Sequence, residues 1–144
     1  MKLKIDNEAI AASFFEDSIL LGIVAPVNDY RFSWQLNQVL GFNFRLKNEL
    51  EIQLRKKNRK YFFSVYEYCL PSSTIVHYLY NNQHDGEYLL PEFKHLDFLW
   101  LIKGYDTPVD EQLIILPCIK GLSCVQLVTE MTNEKIKNKQ HLVL

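Results

Sequence analysis

The chain has 144 residues, of which 48% are apolar and 23% charged, with a net charge of −1. That length suits one domain, 1–144, whose core needs no disulfide or metal, and the near-neutral charge excludes a general pull toward nucleic acid or an anionic membrane. The N-terminal MKLKIDNEAIAASFFEDS has no apolar core of secretory-signal length, ILLGIVAPV is half the ~20 residues of a membrane helix, and the three cysteines are an odd number, so a cytoplasmic protein with free thiols is expected.

Residues 2–5 (KLKI) read as a short strand and 8–15 as a short helix. SILLGIVA, 18–25, is a continuous apolar run closed by Pro26, the pattern of a buried strand. A helix is predicted over 29–40. Asn28 or Asp29 can cap it, Phe32, Leu36, Val39 and Leu40 fall at helical spacing, and Gly41 supplies a left-handed stop. From residue 42 the period becomes two. Phe42, Phe44, Leu46, Leu50, Ile52 and Leu54 alternate with Arg45, Lys47, Glu49, Glu51 and Gln53, which predicts one half-exposed antiparallel strand. RKKNRK turns the chain and YFFSVYEYCL returns it as the second arm of a hairpin. Pro71, Ser72 and Ser73 make the next turn, TIVHYLY is a third strand, Asp85-Gly86 is a turn pair, and EYLL is an edge strand ended by Pro91.

FLWLIKG, 98–104, reads as another buried strand. Thr107, Pro108, Asp110 and Glu111 have the order of a helix start, which predicts a helix over 108–119 that is disturbed at Pro117 and ended by Gly121. LSCVQLVTEM, 122–131, follows as a strand, and NEKIKNK as a helical turn before HLVL. This order predicts an α+β fold. A mostly antiparallel sheet carries helices 29–40 and 108–119 packed on one face, and the C-terminal β-α-β resembles half a ferredoxin-like unit.

LPEFKHLDF, 90–98, sets two carboxylates at the mouth of an apolar strand. It is similar to the signature of the IPExxxVDY family. Pro91, Glu92 and Asp97 match it, while Leu90, Leu96 and Phe98 stand where the signature has Ile, Val and Tyr. The upstream LLGIVAPVNDYRFSWQLN and the tail containing IKGLSCVQL resemble the same family, so the likeness covers nearly the whole chain. It implies a small cytoplasmic bacterial protein and brings no activity with it. Phe98 in place of Tyr implies that no hydroxyl is needed there for chemistry.

An acid–base pair made of Glu92 and Asp97 would need a cleft that drives their pKa values apart. Only His95, on a turn, lies near them in sequence, so these acids are expected to accept backbone N–H groups in a chain reversal. The run Arg55, Lys56, Lys57, Arg59 and Lys60 precedes aromatic residues and can hold RNA phosphates while the tyrosines stack on bases, although short charge runs are usually solvated turns and no RNP pattern is present. Cys69, Cys118 and Cys124 lack the C-x-x-C spacing of a metal site, and Cys118 and Cys124 are expected in the core. His77, His84, His95 and His141 are scattered without ligand spacing. Tyr30, Arg31 and Trp34 are the residue types of binding hot spots, and they lie beside the core stripe of the 29–40 helix. No phosphate loop, dinucleotide fingerprint or nucleophile elbow occurs, so no cofactor or metal is expected.

The sequence therefore favours a non-enzymatic interaction module that works by protein–protein contact, a homo-oligomer included. The alternatives are a nucleic-acid-associated protein using the basic hairpin, and a small-ligand sensor with Trp100 or Tyr105 lining a pocket. An enzyme would require distant acids and histidines to converge.

Overall fold

A computed structural model of the protein describes residues 15, 18–69, 74–104, 115–131, 136 and 139–144. Its main sheet has six strands. In spatial order they are β10 (Leu127–Met131), β1 (Ser18–Val24), β9 (Phe98–Lys103), β6 (Val76–Asn81), β5 (Val65–Cys69) and β2 (Arg45–Leu46). Every neighbouring pair is antiparallel. β9 and β10 both run antiparallel to β1 and so are parallel to each other with β1 between them, the split arrangement of half a ferredoxin-like unit. The fold is α+β.

β1 and β9 are continuous apolar runs because both faces of the sheet are covered. Leu21, Ile23, Trp100 and Ile102 point to one side, where Phe32 and Leu36 of helix α1 (Asp29–Leu40) pack together with Ile115 and Ile119 of the helical residues 115–120. Leu20, Leu99 and Leu101 point to the other, against Tyr61, Phe63, Leu89, Leu90, Leu96 and Leu142. The helices thus share one face, and hairpin, loop and C-terminal residues close the second.

Asn28 precedes α1 in extended backbone, but its side chain makes no cap bond and donates instead to the Tyr30 hydroxyl, 2.9 Å. Gly41 ends the helix with φ at 72°, a left-handed conformation that favours glycine. Val39, expected on the core stripe, is 60% exposed, because Phe32 and Leu36 already define the buried face.

The hairpin predicted from period-two alternation exists, but its first arm is not one strand. It comprises β2, a 3-10 turn at Asn48–Leu50, and β3 (Ile52–Lys56). The returning arm is β4 (Arg59–Phe63) and β5, parted at Ser64. Between the pairs Leu46↔Tyr66 and Ile52↔Phe63 the first arm advances six residues and its partner three. The 3-10 turn absorbs the surplus. The outer half of the hairpin leaves the main sheet there and folds over its second face, carrying Tyr61 and Phe63 into the core. Leu46, expected to point inward, is 51% exposed on the short edge strand.

Asp85 and Gly86 form the predicted turn with positive φ, between the short strands β7 (Gln83–His84) and β8 (Glu87–Tyr88). The last strand of the sheet starts at Leu127, not at 122. The chain first turns, with the Leu122 N–H on the Ile119 carbonyl and the Val125 N–H on the Leu122 carbonyl. Helical residues 115–120 run past Pro117, and the Gly121 N–H bonds the Pro117 carbonyl. The predicted elements at 2–5, 71–73 and 108–114, most of those at 8–15 and 132–138, lie outside the described residues.

Candidate functional site

The 90–98 stretch is built around a residue outside it. Asn82 follows the end of β6 and is fully buried. Its Nδ2 donates to the carbonyls of Phe93 (3.1 Å) and Leu96 (2.8 Å), and its Oδ1 accepts the Leu90 N–H (2.8 Å). Its own N–H bonds the Asp97 carbonyl, and its carbonyl accepts the Leu89 N–H. A single amide therefore holds both ends of the loop. Leu90 and Leu96 fill the second core. Leu96 presses on β1 at a glycine, where a Cβ on Gly22 would lie 2.6 Å from Leu96 Cδ1. Phe98 is stacked on Phe32 at a ring-centroid distance of 4.6 Å.

Asp97 Oδ2 accepts the Ala25 N–H at 2.8 Å, where β1 leaves the sheet toward Pro26, and the Asp97 N–H bonds the Ile23 carbonyl. Glu92 lies in a 3-10 turn at Pro91–Phe93, half-buried. Asp97→Ala is expected to lower stability by about 1–3 kcal/mol, since it strands a backbone donor. A thermal melt that does not move would contradict that role.

Asp97 also borders a polar cleft of about 300 Å³ beside the N-terminus of α1, which Glu92 does not line. Three carboxylates border the cleft, and each has a protein donor. Asp97 holds Ala25, Asp29 receives the Tyr66 hydroxyl at 2.9 Å, and Asp85 pairs with Arg59. Burial, then the Asp29 bond, push the Tyr66 hydroxyl up from its ordinary pKa, so it stays a donor. His84 borders the same cleft and packs edge-on to Phe62 and Phe63. No group of three or more His, Cys, Asp or Glu among the described residues is arranged to hold a metal ion.

The basic run does not form a loop of free cations. Only Lys57 and Asn58 make the turn, both with positive φ, and the other residues are paired across β3 and β4. Lys56 bonds Glu87 at 3.2 Å and Arg59 pairs with Asp85, so the β7–β8 hairpin offsets two of the five charges. Arg55, Lys57 and Lys60 are exposed.

Helix α1 presents the other candidate face. Tyr30 is 66% and Trp34 57% exposed, one turn apart, with Arg31 also exposed between them. Asn37, on the same helix, holds both backbone groups of Phe44, donating to its carbonyl (3.0 Å) and accepting its N–H (2.8 Å).

His77 is buried, and its Nδ1 accepts the Trp100 Nε1–H at 3.0 Å amid Phe42, Phe44 and Tyr68. Trp100 is fully buried and lines neither the cleft beside α1 nor the cavity bordered by residues 49–54, while Tyr105 lies outside the described residues. His141 Nδ1 lies 2.7 Å from the Leu89 carbonyl, and the exposed His95 rests edge-on to Phe93. Cys124 is half-buried, whereas Cys118 is exposed, because Ile115 and Ile119 take the buried stripe of that helix. Burial pushes the Cys69 and Cys124 thiols up in pKa, away from the reactive thiolate.

Asn82, Asn37 and the Trp100–His77 bond were missed by sequence reasoning. The signal was polar residues within or beside strongly apolar elements. Compared with known proteins, the chain matches no protein-family model, and no curated protein is similar to it at a significant level.

Proposed function

We propose that this chain is a non-enzymatic interaction module that binds a protein partner, a second copy of itself included, through Tyr30, Arg31 and Trp34. One observation carries the reading: two large aromatic rings stand more than half exposed on one face of a helix that buries Phe32 and Leu36 on the opposite side. Tyr and Trp bury much area on binding and lose little conformational freedom, and Arg adds a planar cation, the composition that dominates contact energy. The carboxylates of the polar cleft hold protein donors, which disfavours an acid–base role. The similarity of 90–98 to the IPExxxVDY signature supports a cytoplasmic bacterial setting. No helix among the described residues is long and apolar enough to cross a membrane.

The test is capture from a lysate of the source cells by tagged wild-type protein and by the Tyr30→Ala/Trp34→Ala variant. A stoichiometric protein is expected with the wild type and a loss of about tenfold or more in the variant, whose melting temperature stays within about 2 °C because the changes are on the surface. Material that RNase removes, read as 260/280 nm absorbance, would instead assign the function to Arg55, Lys56, Lys57, Arg59 and Lys60. Equal capture by both proteins would contradict the helix face.

A further inference from the structure

The edge of β3 that faces away from β4 pairs with no strand among the described residues. We infer that this edge accepts an extended, cationic segment of another protein as an added strand. The inference does not rest on the α1 reading.

The hairpin closes with a two-residue turn, so Lys56 and Arg59 form a hydrogen-bonded pair. Pairing alternates from there. Ile52, Leu54 and Lys56 bond to β4, and the backbone groups of Gln53 and Arg55 point the other way. β4 is the only strand that pairs with β3 among the described residues. A groove of about 380 Å³ is lined by residues 49–54 together with His141, Val143 and Leu144, and by no residue of β4.

An outward row of alternating N–H and C=O groups is satisfied by extended backbone, which fixes the shape of the occupant. The groove fixes its chemistry. Glu49 and Glu51 line it with no Lys or Arg, the exposed Arg55 standing on β3 just past its end, and Leu50, Val143 and Leu144 supply apolar surface. The matching segment alternates cationic and apolar side chains, so that one set meets the carboxylates and the other the apolar wall.

The probe is the peptide acetyl-Lys-Val-Lys-Val-Lys-amide, titrated into ¹⁵N-labelled protein, with the Glu-for-Lys peptide as control. Saturable amide shifts are expected at Gln53 and Arg55, with affinity about tenfold or more above that of the control. Glu49→Gln/Glu51→Gln should weaken binding about fivefold, by removing the charge while keeping the shape. Gln53→Pro should weaken it further, because the N–H it removes is not one of those bonded to β4. No saturable shift by about 5 mM peptide, equal affinity for the two peptides, or shifts centred on α1 would overturn the inference. So would β3 shifts that follow protein concentration without peptide, since they would identify a second copy of the chain as the occupant.

Discussion

Asn82→Ala is expected to lower the free energy of unfolding by about 3 kcal/mol, although Asn82 lies in a stretch that reads as an ordinary polar loop. The side chain makes three hydrogen bonds in a fully buried site. Without it the Phe93 carbonyl keeps the Leu96 N–H, so two groups lose their partner, the Leu96 carbonyl and the Leu90 N–H. Each costs about 1–3 kcal/mol when buried, and partial relaxation of the loop holds the total near the lower half of that sum. Asn82→Asp tests the polarity of the site. The introduced carboxylate still accepts from Leu90 but faces two carbonyl oxygens, so its proton is held and the variant loses more stability at pH 7 than at pH 4 relative to the wild type. Urea unfolding at both pH values measures this. A loss below about 1 kcal/mol for Asn82→Ala would show that Asn82 does not organise the loop.

A second large effect is expected below neutral pH. His77 is buried and accepts from Trp100, so the folded state holds it neutral, and burial lowers its pKa from 6.5 to about 4. Between those values the unfolded chain binds a proton that the folded chain does not, and stability therefore falls as pH falls through this window. The contribution is intact above about 6.5 and is lost progressively toward pH 4, by about 3 kcal/mol if the full shift is realised. His77→Gln keeps an acceptor for Trp100 and removes the titration. Its stability at neutral pH is lower, but the slope between pH 6.5 and 4 should flatten by that amount against the wild type. Equal slopes would mean that His77 titrates normally.

The elements set by one-dimensional pattern were legible in the sequence. The apolar runs of β1 and β9, the α1 spacing and its Gly41 stop, and the Asp85-Gly86 turn depend on local chemistry, and the fold keeps them. The long hairpin was legible as a hairpin and not as two sheets. Period-two alternation continues across the point where three extra residues shift the register, and only Asn48, which lacks the apolar character of the positions flanking it in the pattern, breaks it. Asp97 was legible as an acceptor type, but its donor, Ala25, is 72 residues away. Asn82 and His77 were illegible for the same reason, since an amide or an imidazole shows its role only when distant carbonyls or an indole close on it. The exposure of Trp34 depends on which side of α1 the sheet occupies, and Phe32 and Leu36 decide that by packing.

Because the chain has two tryptophans, one buried at Trp100 and one exposed at Trp34, fluorine NMR on protein labelled with 5-fluorotryptophan reads the proposed contact face directly. Trp34→Phe assigns the two resonances. In RNase-treated lysate of the source cells, the Trp34 resonance is expected to shift or broaden while that of Trp100 stays fixed. A Trp34 resonance identical in lysate and in buffer, at every protein concentration, would contradict the proposed contact face.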